Sequence, residues 1–302
     1  MSLKPALSPA WIAVDWGTSN LRAYAMGAGG ALLDEAQSDQ GMGGLDKDGF
    51  EPALRTLLSR WHLPTPCTVV ACGMVGSRQG WFEAPYRAVP CPALDARPVR
   101  VPGCKSDLEI YLLPGVKQDT PADVMRGEET QIAGFLHLSP DWDGVLCLPG
   151  THSKWAHVSA REIVSFRTFM TGEMFAALGQ HTVLRHSLTP TDDWDQTAFA
   201  DALTQTLSRP ETLASLLFRL RASDLLHGQS PARARAQLSG ALIGAELAAA
   251  KPYWLGQRVA LIGAGPLTDL YAAALSAQGI TAERCEAREV TLAGLAAAAS
   301  NL

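Results

Sequence analysis

Residues 11–26 read WIAVDWGTSNLRAYAM: an apolar run from Trp11 to Val14 ending on Asp15, a Gly-Thr-Ser-Asn turn, and a second run from Leu21 to Met26. The alternation predicts two strands joined as a hairpin with a polar tip. That tip has a chemical use. An acid at a strand end, a Gly allowing close backbone approach, and hydroxyl and amide side chains aimed at one point suit Mg²⁺ and phosphate. Asp15 would hold the metal, and Gly17, Thr18, Ser19 and Asn20 the phosphate oxygens, partly through backbone N–H groups. The same residue types also do no more than satisfy turns, so the tip alone leaves both readings open.

A second strand, polar turn and strand opens the other half of the chain. Gly144 to Leu148 is apolar and runs into PGTHSKW, residues 149–155. Gly150, Thr151, His152, Ser153 and Lys154 offer a glycine, two hydroxyls and an ammonium, a set suited to phosphate oxygens from the other side of a cleft. An ordinary polar hairpin with a solvated Lys would read the same, and His152 by itself reads as a hydrogen-bonded structural imidazole. The two turns, DWGTSNLR and LPGTHSKW, share only Gly-Thr in register. As architecture the recurrence matters more, because a duplicated lobe needs a phosphate-facing turn from each half. The reading is an N-terminal lobe over residues 1–137 and a C-terminal lobe over 138–302.

Between and after these turns the pattern alternates strand and helix. Residues 27–30 (GAGG) are a turn and 31–38 a third strand; 50–61 has apolar residues at helical spacing before Pro64. Strands are expected at 68–72 and 110–113, and a helix over 122–136. The second half carries strands at 144–148, 154–158 and 163–168, a largely helical stretch from 172 to 249, and a strand at 258–262 followed by a helix.

Three further motifs bear on chemistry. Gly263, Ala264, Gly265 and Leu267 lie where a strand runs into a helix, so backbone can approach a flat ligand such as adenine or ribose. The dinucleotide fingerprint is incomplete there, since Thr268 stands in place of its third Gly, and an ordinary strand-to-helix turn has the same form. VMRGEETQ, residues 124–131, opens a helix with paired carboxylates: Glu128 or Glu129 could take the proton of an attacking hydroxyl while Arg126 holds an anionic group. Acids in a first helical turn are also simply stabilising. From residue 73 to 102 the chain is too irregular for one element and too apolar for a washed linker, and loops of that kind build sites. Its Gly73, Met74, Gly76, Ser77, Arg78, Trp81 and Tyr86 supply flexible backbone, aromatic platforms and basic groups for a polyol-acid pocket, although a packed surface loop has the same composition.

Bulk properties narrow the class. The chain has 302 residues, enough for two packed cores; 47% hydrophobic and 18% charged residues make it globular. With a net charge of −5 and 25 basic residues that never gather into a run, it lacks the footprint of a nucleic-acid or acidic-membrane binder. The six cysteines show no C-x-x-C pair and no zinc spacing, which leaves reduced core thiols. The N-terminal MSLKPALSPA has no apolar leader region and no stretch is long enough to span a membrane, so the expected address is cytoplasmic.

Taken in order, DWGTSNLR, ACGMVGSRQGWFEAPY, VMRGEETQ, PGTHSKW with FRTFMTGE, and SGALIGAEL resemble the 2-dehydro-3-deoxygalactonokinase family over nearly the whole chain. The resemblance implies an α/β fold of the sugar kinase, heat-shock 70 and actin superfamily. That fold has two ribonuclease-H-like lobes, each a mixed sheet flanked by helices, with the active site in the interlobe cleft. It implies ATP and Mg²⁺ as cofactors and transfer of the γ-phosphoryl to the terminal hydroxyl of 2-dehydro-3-deoxy-D-galactonate. The 6-phosphate would then feed an aldolase in galactonate breakdown. By position, Asp15 to Asn20 resembles the first phosphate loop, Gly150 to Lys154 the second, and Gly263 to Leu267 the adenosine loop, with Gly240 and Gly244 on the preceding helix. Related kinases place an Asp at the start of the helix leaving the first lobe; here that place falls to Glu128, with Glu129 and Asp123 behind it. Arg126 and Arg78 are the expected carboxylate ligands, because Arg pairs a planar carboxylate bidentately. The partners are then a sugar acid and ATP, without nucleic acid or membrane, and a homodimer stays open. Two other readings remain: a kinase of the same fold for another aldonate or 2-keto-3-deoxy acid, and an actin-like ATP-binding regulatory module.

Overall fold

The computed structural model describes residues 7–93 and 97–302. Part of the N-terminal decapeptide and the 94–96 portion of the 73–102 loop lie outside these described residues. The hairpin forms as expected. β1 (Trp11–Trp16) pairs antiparallel with β2 (Leu21–Met26), Asp15 facing Arg22 in register, and β2 pairs with β3 (Leu32–Ser38). After α1 (Phe50–Leu58), β4 (Cys67–Gly73) lies parallel to β1, which brings Gly73 beside Trp16. The long loop that follows carries only short strands, β5 (Tyr86–Ala88), β6 (Cys91–Pro92) and β7 (Val99–Arg100), before β8 (Leu108–Leu112) and β9 (Gly115–Asp119).

The single helix expected over 122–136 is a strand and a shorter helix. β10 (Ala122–Met125) pairs antiparallel with β9, and α2 (Glu128–Leu138) starts only after Gly127. Gly127 sits at φ 108°, a conformation that L side chains rarely adopt, so helix cannot propagate back through it. The rest of the chain runs β11 (Gly144–Leu148), β12 (Ser153–Ser159), β13 (Glu162–Phe169), α3 (Thr171–His181), α4 (Gln196–Ser208), α5 (Leu213–His227), α6 (Pro231–Ala249), α7 (Lys251–Trp254), β14 (Val259–Ile262), α8 (Gly265–Ser276), β15 (Glu283–Cys285) and α9 (Ala287–Ala299). The helical stretch is broken where its caps dictate. Asp195 accepts from the N–H of Ala198 to start α4, Gly228 at φ 62° ends α5, and Ser230 caps α6.

These elements form two compact units. The first holds the described residues up to Trp142 together with Ser159–Ser165 and Glu286–Leu302. Its main sheet has the order β3-β2-β1-β4-β8-β7, and β10-β9-β5 make a second, three-stranded sheet. One face of the main sheet is closed by a cluster of Ile12, Val14, Trp16, Phe50, Leu54 and Val69; on the other, Ala13, Tyr24, Val70 and Cys72 meet Leu295 of α9. The second unit, Asp143–Val158 with Phe166–Cys285, carries strands in the order β15-β14-β11-β12-β13. Val145, Cys147, Trp155 and Leu261 of that sheet pack on Phe199, Ile243, Leu247 and Tyr271 from its helices. The boundary at 137/138 expected from sequence thus differs from the observed division chiefly at the C-terminus, where α9 returns to pack along α2 in the first unit.

Candidate active site

In the first unit the ends of β1 and β4 and the start of α2 converge through glycines. A Cβ on Gly73 would come within 2.7 Å of the Trp16 carbonyl, and one on Gly127 within 3.3 Å of Gly73 Cα. Larger residues would push the helix away, so the Asp15 strand end and the α2 acids share one locality. The tip folds as a tight turn, the Gly17 N–H donating to the Asn20 carbonyl at 2.9 Å, with Thr18, Ser19 and Asn20 exposed. Met42 and Gly43 donate backbone N–H groups to Gly17 and Thr18. This braces the tip from behind.

Asp15 meets Arg22 at 3.2 Å, and its side chain stays about a quarter exposed, at 24%. Desolvation pushes its carboxyl above the ordinary value, Arg22 opposes that, and the charge of Glu128 adds to it. The two α2 acids differ. Glu128 is half-buried and accepts from the Arg126 N–H at 3.1 Å, whereas Glu129 is 2% exposed and accepts from the Gly127 N–H at 2.7 Å and the Thr130 hydroxyl at 3.0 Å. Burial, then the neighbouring Glu128, pushes the Glu129 carboxyl up to about 7. Asp123 lies on β10 rather than on a helix, and its carboxylate accepts from the Val124 N–H.

Arg126 is the most telling side chain of this unit. Its guanidinium is buried over the Tyr86 ring at 4.3 Å and donates Nη2 to the Ala84 carbonyl at 2.8 Å, yet Nε and Nη1 have no partner. The buried Ser77 hydroxyl is likewise without one. Gly76 packs against Nη1, and Gly115 leaves the space in which the Tyr86 ring lies. Buried donors without acceptors are costly, so this cluster has the chemistry of a receptor for an anionic oxygen. The other loop candidates point elsewhere. Arg78 is 81% exposed and meets Glu83 at 3.6 Å. Trp81 stacks on Phe50 at 6.0 Å, and Met74 packs against the same core.

In the second unit the 150–154 turn is clamped onto the start of α3. A Cβ on Gly172 would strike the Gly150 carbonyl at 2.4 Å, and the Glu173 N–H donates to the Thr151 carbonyl at 2.9 Å. His152 Nε2 and Glu173 Oε2 are 2.5 Å apart at the surface. Ser153 is fully buried, and Lys154, solvated in the simplest sequence reading, is only 4% exposed. Beside the turn lies a cavity of about 250 Å³ lined by Phe175, Trp194, Leu242, Ile243, Leu267 and Leu270, with Gly150, Thr171, Ser239 and Tyr271 at its polar positions. Its size and apolar walls suit a flat heteroaromatic group. The Gly263–Gly265 turn leads into α8, which supplies Leu267. A Cβ on Gly263 would come within 2.4 Å of Thr268 Oγ1, and Gly265 takes φ 70°. Gly240 and Gly244 face α4, where a Cβ would meet the Phe199 carbonyl at 2.2 Å and Thr206 Oγ1 at 2.3 Å. Their observed contact is helix packing.

Sequence reasoning missed Phe175, Trp194, Thr171, Tyr271 and Glu246. Two of them carried a signal: Thr171 lies in the FRTFMTGE block, and Glu246 is the one carboxylate in the apolar run ALIGAELAAA.

The chain matches the 2-keto-3-deoxy-galactonokinase family over residues 15–298. It belongs to that family. A Rhizobium meliloti (strain 1021) protein described as a probable 2-dehydro-3-deoxygalactonokinase is 41% identical over 296 residues, covering 96% of each chain. The 2-dehydro-3-deoxygalactonokinase of Escherichia coli (strain K12) is 36% identical over 274 residues, 89% of this chain and 90% of its own. A crystal structure of a Sinorhizobium meliloti protein assigned the same activity superposes with a TM-score of 0.90 at 40% identity, over 97% of this chain and 96% of that one. Component A of the Acidaminococcus fermentans (R)-2-hydroxyglutaryl-CoA dehydratase superposes at 0.52 with 11% identity over 96% and 98% of the two chains, a likeness of fold alone. The family member is accordingly a sugar-acid kinase, a phosphotransferase using ATP, on the α/β fold of actin-like ATPases. Among its described residues no helix is long and apolar enough to cross a membrane.

Proposed function

We propose that this kinase transfers the γ-phosphoryl of ATP to the terminal hydroxyl of 2-dehydro-3-deoxy-D-galactonate, giving the 6-phosphate for galactonate catabolism in the cytoplasm, where ATP is available. The observation that carries the reading is Arg126, a buried guanidinium whose Nε and Nη1 are both unpaired. A substrate carboxylate would satisfy them together.

The first unit would supply the acid site, the proton acceptor and the Asp15 tip for the metal, the second the nucleoside pocket and a phosphate turn. Glu128, half-buried and next to Asp15 in charge, takes the hydroxyl proton as its oxygen bonds to the γ-phosphorus and the bond to the ADP oxygen breaks. Glu129 is too enclosed for that role and instead satisfies the N-terminal N–H groups that carry Glu128. Among the described residues no three His, Cys, Asp or Glu side chains cluster for a metal. Mg²⁺ needs no such cage, because it keeps several waters and is held by one or two carboxylates and the substrate phosphates. Asp15, about a quarter exposed at a tip of exposed hydroxyl and amide oxygens, fits that pattern. When bound there, the ion supplies charge compensation on the phosphate oxygens.

The test is phosphoryl transfer from ATP across a panel of 2-keto-3-deoxy acids, aldonates and the matching neutral sugars. The galactonate-derived keto acid should lead, neutral analogues should fail, and R126A should raise the KM for the acid on the order of a hundredfold. Equal use of a neutral analogue, or an unchanged KM in R126A, would refute the assignment.

A further inference from the structure

Glu246 lies on α6, is 3% exposed, and is ringed by donors from three other elements. Trp155 Nε1 of β12 donates to Oε1 at 2.8 Å, the Tyr271 hydroxyl of α8 donates to Oε2 at 2.7 Å, and the Thr171 hydroxyl at the start of α3 donates to Oε2 as well. The Tyr271 oxygen is also 2.8 Å from the Ser153 hydroxyl in the phosphate turn. All of these residues belong to the second unit.

The hydrogens in this chain can be counted. An ionised carboxylate only accepts, and an indole N–H only donates. Burial leaves the Glu246 carboxyl above its ordinary value although Thr171, Trp155, Tyr271 and Ser153 as donors pull it down, and the ionised form is the one that accepts from all four. A phenol has one hydrogen, and Tyr271 gives it to Glu246. Ser153 is therefore the donor towards Tyr271 and the Glu246 carboxylate behind it. With its only hydrogen turned inward, the buried Ser153 oxygen presents lone pairs alone to the turn.

We propose that Glu246 is a positioning residue for nucleotide binding: through Tyr271 it fixes the Ser153 hydroxyl as an acceptor in the phosphate turn, while through Thr171 it holds the edge of the adjoining cavity. This rests on the reading that the second unit binds the nucleotide. Ser153 then cannot donate to a phosphate oxygen, the role its hydroxyl suggests in the sequence. That task passes to the Thr151 hydroxyl, the Lys154 ammonium and backbone N–H groups. Ser153 instead accepts, from an ammonium or from ordered water beside the phosphates.

The relay can be reversed without changing its shape. In E246Q the amide oxygen must face Trp155, which can only donate, so the NH₂ faces Tyr271. Tyr271 then accepts from the amide and donates to Ser153, whose hydrogen is released towards the turn. Y271F loosens it by removing the phenol, leaving only the Glu246 carboxylate to accept that hydrogen. Equilibrium binding of ADP with Mg²⁺ to the full chain, alongside KM for both substrates, reads the consequence. E246Q and Y271F should each weaken ADP binding on the order of tenfold, leave the KM for the sugar acid within about twofold, and add nothing to the loss already caused by S153A. ADP binding unchanged in both variants, or losses fully additive with S153A, would overturn the relay. If E246Q does not fold, the cycle of Y271F with S153A carries the same decision. Wild-type protein that fails to bind ADP would overturn the nucleotide reading and the relay with it, whereas wild-type binding with unaffected variants overturns the relay alone.

Discussion

Adjacent carboxylates at the start of α2 meet different fates, because a helix turns each side chain about 100° from the last. Glu128 is left half-buried beside Asp15, and Glu129 is driven inward. E128Q keeps the acceptor for the Arg126 N–H and loses the base, so turnover should fall about a hundredfold or more while ADP binding stays as in wild type. Near-normal kcat in E128Q would transfer the role elsewhere. Glu129 should show itself in stability instead. With its carboxyl raised to about 7, the folded protein holds that proton more tightly than the unfolded chain does. Its contribution is thus fully present below the ordinary carboxylate range and lost as pH rises through about 7, a swing of up to about 3 kcal/mol. E129Q removes the titration, so melting curves from pH 5 to pH 8 should show E129Q gaining on wild type as pH rises. A constant Tm difference across that range would contradict the assignment.

At the scale of elements, α2 is held in place by what its glycines leave out. A Cβ on Gly134 would lie 1.8 Å from the Val290 carbonyl of α9, and one on Gly294 of α9 would lie 2.1 Å from the Thr130 carbonyl of α2. Backbone lies directly against backbone there, and no rotamer change can make room. G134A should cost about 1 to 3 kcal/mol and lower kcat as the helix bearing Glu128 shifts, measured by denaturant unfolding and steady-state rates. A variant as stable and active as wild type would mean that the two helices slide apart freely. The extent of α2 was not legible in the sequence for a related reason. Ala122–Met125 reads as the first turn of a helix because Ala, Val and Met suit both states, and only pairing with β9, remote from any local pattern, makes it a strand. The hairpin of β1 and β2, by contrast, was legible, with β1 running on through Trp16, since alternation and a polar tip are local signals.

For the molecule as a whole, the repeated strand, turn and strand announced two units, but the return of the C-terminal helix to the first could not be read. α9 is apolar and Ala-rich, and nothing in such a helix names its partner until Gly134 and Gly294 are seen to face one another. The candidate site divides along the same line. Its polar turns were legible because Gly, Thr, Ser and Lys at strand ends are rare as a set, whereas the cavity of Phe175, Trp194 and Leu270 was not, because its residues are those of any core. Under the proposed function each unit carries its own share of the chemistry: acid receptor, proton acceptor and metal tip in the first, phosphate turn and apolar cavity in the second. Ligand binding should therefore leave separate footprints in amide hydrogen exchange. ADP with Mg²⁺ should protect residues 15–20, 150–154, 171–175 and 263–271, and the keto acid alone should protect 73–77, 84–88 and 125–129. The acid footprint must depend on Arg126, so R126A should abolish it while leaving the ADP footprint intact. Protection by the acid confined to the second unit, or an acid footprint that survives in R126A, would mean that the anionic group is read by residues other than this buried guanidinium.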